Sequence, residues 1–460
     1  MKKNVNVTRR GFIGLAASAG AFGLGGCVSA PAIVSSRSPN GKLRFAAIGC
    51  GSQGRYDISV FAKHRRLELA AFCDVDLKML DILRPQFPQA RYYQDWRKML
   101  DEVRPDAVLV ATPDHNHCLI MSEVMRRGIH LYAQKPLCRT LEECALLDRL
   151  ARSSGVVTQL GTQGVEWECD RYTSLMLQQG RIGEIRKVWI FTNSGVYQKL
   201  LDRRWPLDPA SVPNTLDWKG WLEGAPFREY VPDVYHSFCW RAWKDFGSGW
   251  LGDMGCHLFS PILTGLGMCE QIPDSVKAEV HDEGWTEAMR KQFLPMTSHV
   301  VYSFPGVKAT GGNPFEMEWC DGPIATELRT SIVPDGEYDR LSKGALGKVP
   351  EKFLPPRRFR EMAKKTPLWK LPLQGRVVEG TEGWLISSLD NEPPVVIDKT
   401  GRALPIELPY SEEPVGNHYF DFVDCCLDGG MPRSALAWTT KLTEIIVRGN
   451  MAIQSAEASA

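Results

Sequence analysis

Lys135, Asp253 and His257 lie far apart in the chain, yet their types suit proton transfer at a carbon that bears a hydroxyl group. Lys135 comes just after the apolar run 129–133 and Gln134, so its ammonium stands at the carboxyl end of an expected strand. There it can polarise a hydroxyl or carbonyl oxygen. Asp253 and His257 are four residues apart, a spacing that puts both side chains on one face of a helix. A carboxylate beside the ring fixes its orientation and favours its charged form. That arrangement suits His257 as the base that removes a hydroxyl proton while hydride leaves the same carbon. The bland alternative is a solvated helix pair. Gly249, Gly252 and Gly255 argue against it, because glycines on both sides signal tight packing.

The hydride needs an acceptor, and the sequence supplies a place for one. The apolar run 43–48 reads as a buried strand and leads at once into Gly49-Cys50-Gly51-Ser52-Gln53-Gly54, with a helix expected from about Gln53. Glycines are needed because the chain turns sharply, the backbone approaches a pyrophosphate and the helix packs closely on its strand. The helix N-terminus then offers free N–H groups to the phosphates. A second strand, 67–73, ends in Asp74, twenty residues past Gly54. An acid at that point accepts hydrogen bonds from an adenosine ribose and repels a 2′-phosphate, which favours NAD over NADP. Asp76 is the less favoured ligand.

The surrounding elements alternate. Apolar strands at 107–111, 129–133 and 156–160 are separated by helices running to about Arg127 and over 140–153. This pattern predicts an α/β fold with a doubly wound parallel sheet, a Rossmann domain, whose chemistry sits at the strand carboxyl ends. Thr112, Pro113, His117, Gln134 and Lys135 are placed there and are expected to line the cofactor site with the glycine loop. His115-x-His117 has the spacing of a metal pair, but no carboxylate cluster accompanies it, and a turn into a helix beside the cofactor is the preferred reading.

These segments resemble the Gfo/Idh/MocA oxidoreductases. The resemblance is carried by Gly49–Gly54, Ala111-Thr112-Pro113 through His117, Gln134-Lys135-Pro136 and Gly249-x-x-x-Asp253-x-x-x-His257, and it covers nearly all of residues 42–455. The run from Trp240-Arg241-Ala242-Trp243 to His257 is most similar to secreted members from Bacteroidetes and Planctomycetes. The resemblance implies a C-terminal α/β domain with an open, mostly antiparallel sheet, often used to form a dimer or tetramer. It also implies sugar, inositol or sugar-derivative substrates and a cis bond before Pro136. One departure is plain. The family usually has Glu-Lys-Pro, and Gln134 brings no charge, so Lys135 is expected to lose an ion pair and to have a lower pKa.

The N-terminus reads as a targeting segment. Thr8-Arg9-Arg10-Gly11-Phe12 is a twin-arginine pattern, and the weakly apolar run 15–24 is too short for a membrane span. Leu24-Gly25-Gly26-Cys27 resembles a lipobox, with ordinary cleavage near 30–32 as the alternative. The protein is therefore expected in the periplasm, with a membrane tie only through Cys27. Thirteen cysteines would usually suggest disulfides in an exported chain. The twin-arginine route carries proteins that folded in a reducing cytoplasm, so mostly free thiols are expected. No Cys-x-x-Cys is present, and no metal is expected.

At 460 residues the chain exceeds one ordinary core. The expected organisation is an export signal at 1–32, a linker at 33–41, the NAD-binding domain at 42–164, a substrate and oligomerisation domain at 165–416 and a helical segment at 417–460. Residues 341–371 read as an exposed insertion. A net charge of +1 gives no electrostatic case for nucleic acid. Tryptophans cluster between Trp205 and Trp250, where flat faces suit both core packing and sugar rings. Within that run His236 and Arg241 are the expected substrate contacts, joined by Gln163 at the domain junction. No role for Asn417-His418-Tyr419 follows from the sequence.

Together these features predict an NAD-dependent oxidoreductase acting on a sugar CH–OH group. Because free NAD is scarce outside the cytoplasm, an exported enzyme is expected to hold its cofactor and regenerate it within the catalytic cycle. Two alternatives remain open at this point. One is an NAD-dependent glycosidase of the glycoside hydrolase family 109 kind, working by transient oxidation and elimination. The other is a non-catalytic NAD or sugar sensor, disfavoured because Lys135, Asp253 and His257 are all kept.

Overall fold

The computed structural model describes residues 41–193, 208–236, 238–281, 286–295, 297–322, 374–389, 393–405 and 416–458. The export signal, the lipobox at Cys27, nearly all of the linker and the 341–371 insertion lie outside the described residues.

Six strands form the first sheet: β1 (Leu43–Ile48), β2 (Leu67–Cys73), β3 (Arg91–Tyr93), β4 (Ala107–Val110), β5 (His130–Ala133) and β6 (Thr158–Leu160). All pair in parallel, in the order β3-β2-β1-β4-β5-β6. The connecting helices are α1 (Ser52–Phe61), α2 (Leu77–Leu83), α3 (Trp96–Val103), α4 (Asp114–Arg126) and α5 (Leu141–Ser153). A parallel sheet has both faces covered, so β4 and β5 are buried along their whole length, as unbroken apolar runs require. The boundaries come from local chemistry. Thr140 and Glu143 form a capping box that starts α5, a device worth about 1 kcal/mol. Strand order reverses between β1 and β4, and that switch point opens the crevice where ligands of such sheets bind.

The second half begins with α6 (Glu168–Gln178), β7 (Ile185–Asn193), α7 (Trp218–Leu222), α8 (Gly249–Gly265), β8 (Ser275–Val280), α9 (Glu287–Gln292) and β9 (Ser298–Phe304). It continues with β10 (Phe315–Gly322), β11 (Gly375–Gly380), β12 (Gly383–Ser388), β13 (Val395–Asp398) and β14 (Ala403–Leu404). The eight strands form one sheet in which only β7 and β10 are parallel neighbours. It is the open, mostly antiparallel sheet that the resemblance implies. Alternating burial along β9 shows one face turned to the core formed by α6, α8 and the C-terminal helix.

The last two helices, α10 (His418–Asp428) and α11 (Leu436–Ala458), do not form a module of their own. Tyr419, Phe422 and Val423 of α10 pack with Phe45 and Phe61 in the first domain. In α11, Leu436 and Val447 join the first domain's core while Ile445 and Ile446 join the second's. The C-terminus therefore binds the two halves together. Tyr235, Trp218, Trp221, Trp243 and Phe246 also pack against one another inside the second core. Trp205 lies outside the described residues; most of the described aromatics of this run are core, and few of their tryptophans are free to meet a sugar.

Candidate active site

The glycine loop is shaped by what its neighbours leave no room for. Gly49 has φ +87°, and a Cβ there would stand 2.5 Å from the Ala111 carbonyl oxygen. A Cβ on Gly54 would stand 2.0 Å from the Gly49 oxygen. Gly51 occupies the N-cap of α1 with no side-chain cap, so the first N–H groups of the helix stay available to an anion. Asp74, at the end of β2, accepts hydrogen bonds from the Cys50 N–H at 2.7 Å and the Asp76 N–H at 2.9 Å. It therefore braces the loop from below as well as lining the crevice. Burial raises its pKa, against the pull of those N–H groups.

The crevice, about 360 Å³, is lined from the first domain by Gly49, Ser52, Gln53, Asp74, Thr112, Pro113, Gln134 and Lys135. Trp221, His236, Trp240 and Arg241 line it from the second domain. The excursion that brings them is fastened beside Asp74 and Asp76, at the carboxyl end of β2. Leu77 N–H donates to Thr215 O and Asp217 N–H to Val75 O, both at 2.9 Å, and Trp96 Nε1 donates to Glu223 at 3.1 Å. His236 Nε2 meets Asp76 Oδ2 at 3.1 Å. His236 is thus tied to the Asp76 carboxylate while it lines the same crevice as Lys135 and Arg241, a narrower placement than the substrate contact expected of it. His117 is corrected too. Its two ring nitrogens meet the carbonyls of Pro136 and Thr112, each at 2.7 Å, so it pins the lysine loop and does not reach for a cofactor.

At the other end the catalytic candidates come together. The Lys135–Pro136 bond is cis. Lys135 Nζ donates to Asp253 Oδ1 at 2.7 Å and to the Asp253 carbonyl at 2.9 Å, spanning 118 positions of sequence. Arg241 Nε lies 4.0 Å from the same carboxylate oxygen. Burial alone would raise the Asp253 pKa, but Lys135, Arg241 and His257 outweigh it and hold it at about 2. Burial pulls the Lys135 pKa down, but the Asp253 charge prevails and raises it, contrary to the lowering expected from Gln134.

His257 differs from expectation as well. Asp253 shares its helix face but binds Lys135, and His257 Nδ1 is buried without a hydrogen-bond partner. Burial first, then the Lys135 charge, lowers its pKa to about 3 against the pull of Asp253. The ring is therefore neutral, not charged. Trp167 lies parallel to it, with centroids 6.4 Å apart.

One residue absent from the sequence reading organises the site. Asp57 in α1 is completely buried and accepts three hydrogen bonds. Tyr419 Oη and Gln53 Nε2 donate to Oδ1 at 2.8 Å, and Gln134 Nε2 donates to Oδ2 at 2.7 Å. Gln163 Nε2 donates in turn to Tyr419 Oη at 3.2 Å, so Gln163 faces α10. One carboxylate thus joins the glycine loop, the residue before the lysine and the C-terminal helix. The charge that the resemblance leads one to seek at position 134 is carried here by Asp57. The only sequence signal for it was the i,i+4 spacing to Gln53, which any surface helix shares.

Burial raises the Asp57 pKa from 3.8 to about 6, despite its three donors and the Lys135 charge. The folded protein therefore holds this proton more tightly than the unfolded chain does. Asp57's contribution to stability is complete below its ordinary pKa and is lost as pH rises through about 6. Asp57→Asn cannot lose it. The stability of this variant relative to wild type should rise by about 3 kcal/mol between about pH 3 and about pH 8, read from urea melts at both. A difference that stays flat across that range would show that the carboxylate titrates normally.

Comparison with known proteins is consistent with this geometry. A profile of the oxidoreductase family's NAD-binding Rossmann fold, GFO_IDH_MocA, matches residues 43–162. The same family's C-terminal alpha/beta domain matches residues 172–292, so the two together take in just over half of the chain. D-glucoside 3-dehydrogenase of Escherichia coli K12 is 31% identical over 116 residues, 25% of this chain and 33% of that protein. A glycosyl hydrolase family 109 protein of Shewanella putrefaciens is 27% identical over 154 residues, 31% of this chain and 33% of that one. The matches span about a third of the length of these relatives. Over longer stretches the likeness is one of fold. The WlbA dehydrogenase from Bordetella pertussis, solved with NADH and UDP-GlcNAcA, superposes with a TM-score of 0.57 at 15% identity, covering 91% of this chain and 98% of that one.

Proposed function

Because the chain belongs to the Gfo/Idh/MocA oxidoreductase family, we propose that it oxidises and reduces a secondary alcohol carbon of a sugar or sugar derivative, with NAD as the hydride carrier. The observation that carries this reading is the Lys135–Asp253 ion pair, set at the end of the crevice that the glycine loop opens. The loop fits a dinucleotide, since Gly49 and Gly51 leave its backbone bare at the crevice and α1 begins uncapped. Gly49, Gly51, Ser52 and Gln53 would hold the phosphates, and Asp74 the adenosine ribose. When bound, NAD supplies a carbon that accepts or returns hydride.

The protein's own groups do the rest. Two of the three Lys135 N–H bonds are taken by Asp253, which leaves the third to meet a substrate oxygen. As hydride departs, that oxygen gains negative charge, and a fixed ammonium in a buried site stabilises it. To His257, neutral and on the same helix face as Asp253, we assign the hydroxyl proton. Arg241 faces the same carboxylate and is the remaining candidate for a substrate hydroxyl.

The twin-arginine pattern at Arg9-Arg10 supports export to the periplasm, with Cys27 as a lipid anchor. An enzyme working there would keep its cofactor and pass hydride to a second sugar. Fastening of the 215–236 excursion across the ribose end favours such retention. The family 109 relatives favour a second reading, in which hydride returns to the same sugar after its glycosidic bond is eliminated.

A denaturing extract of the purified protein should contain close to one NAD per chain, and an aldose panel should then raise absorbance at 340 nm. Protein that carries no dinucleotide and takes up none when it is added would overturn the proposal. Release of nitrophenol from glycosides, with bound NADH staying low, would decide for the glycosidase.

A further inference from the structure

Helix α8 has a gap in its hydrogen bonding that falls on His257. Pro261 lies inside the helix, and a proline has no N–H for the carbonyl four residues back, which is that of His257. Arg376, reaching across from β11, fills the gap. Its Nη2 donates to the His257 oxygen at 2.7 Å and its Nε to the Leu258 oxygen at 2.8 Å. Nη1 donates to Ser387 Oγ at 3.1 Å and pairs with Asp170 Oδ1, from α6, at 2.8 Å. The arginine is 0% exposed and the aspartate 2%. A buried ion pair of this kind is commonly no more stabilising than apolar residues of the same volume. Packing alone therefore does not call for it. An apolar side chain could not hold two helix carbonyls at the residue that carries the imidazole.

We infer that Arg376, anchored by Asp170, is the positioning residue that sets the orientation of His257, replacing the helix hydrogen bond that Pro261 removes. The inference rests on the reading of His257 as the proton acceptor. The charged and titratable groups facing His257 are Lys135 from the loop after β5, Asp253 from its own helix, Arg376 from β11 and His418 from α10. Arg376 is thus one of the cations that keep the ring neutral, as well as its mechanical support.

Three variants separate these roles. Arg376→Lys keeps the charge but loses the planar fork, and should lower kcat by at least about tenfold while the acid limb of the pH profile stays in place. Arg376→Gln also removes the charge and should move that limb to higher pH. Pro261→Ala restores an N–H opposite the His257 carbonyl. Combined with Arg376→Lys, it should recover most of the lost kcat and of the lost melting temperature. If the two substitutions merely add, in both turnover and melting, the inference is wrong. If they are coupled in melting but kcat is unaffected by Arg376→Lys, the link is structural and its catalytic part fails. Should Arg376→Gln not fold, the lysine variant and its combination with Pro261→Ala still decide. Failure of the site reading itself looks different: His257→Ala would leave turnover intact although melting remained coupled.

Discussion

Lys135→Met should yield a folded protein that still carries dinucleotide but turns over its sugar about 10³-fold more slowly. The expectation follows from where the lysine's bonds go. Its contacts with Asp253 hold the ammonium in place, and the hydrogen bonds that brace the glycine loop run to Asp74 and Asp57 and not to the ammonium. Removing the ammonium takes away the donor proposed for the oxygen that becomes charged, so kcat should fall while the bound cofactor remains. Methionine also leaves the Asp253 carboxylate largely buried and without its closest cation, Arg241 standing farther off at 4.0 Å. Losing one partner of a buried pair costs about 3–5 kcal/mol, so melting should fall as well. Lys135→Met/Asp253→Asn removes both charges. That double variant should recover stability without recovering turnover, which separates the chemical role of the lysine from its structural one. Turnover within about tenfold of wild type in a dinucleotide-loaded Lys135→Met protein would remove it from the mechanism.

The parts of this site that were legible beforehand are those whose logic is local. The glycine loop, the strand before it and Asp74 lie within a short stretch, and each is forced by sterics or by a cofactor's dimensions. The first sheet was legible for the same reason, since buried parallel strands are written as uninterrupted apolar runs. What could not be read were choices made across the fold. The i,i+4 spacing correctly placed Asp253 and His257 on one helix face, but a lysine 118 positions away takes the carboxylate, and burial then decides the state of the ring. Gln134 looked like a lost charge because Asp57 reveals itself only when α1 is laid beside β5. Arg376 lies still further out, in a sheet whose pairing order no local pattern encodes. The aromatic run around Trp240 misled differently. Flat rings suit sugars and cores alike, and the core took most of them.

Gly54→Ala should abolish cofactor retention, whereas Gly51→Ala in the same loop should weaken it without harming the fold. The two glycines face different obstacles. At Gly54 an added Cβ meets the Gly49 oxygen at 2.0 Å and the Ala111 side chain at 3.1 Å, so loop and helix must separate even with no ligand bound. Its backbone φ is ordinary, and the penalty is one of space alone. At Gly51 the nearest atom to a Cβ is Met79 Sδ at 3.5 Å, an ordinary contact, so the ligand-free fold tolerates it. Any cost at Gly51 must therefore fall on the approach of a pyrophosphate. The measurement is a pair of thermal melts, with and without excess NAD, beside the dinucleotide extracted from each purified variant. Ligand in excess stabilises by a logarithmic function of concentration over Kd, about 2.7 kcal/mol at 100-fold excess. Wild type should show that upward shift once stripped of its cofactor, Gly51→Ala a smaller one from a normal starting point, and Gly54→Ala none from a lowered one. If Gly54→Ala retains a full complement of NAD, the loop is not the phosphate site, and the ligand assigned to the crevice would have to be reconsidered together with the hydride chemistry built on it.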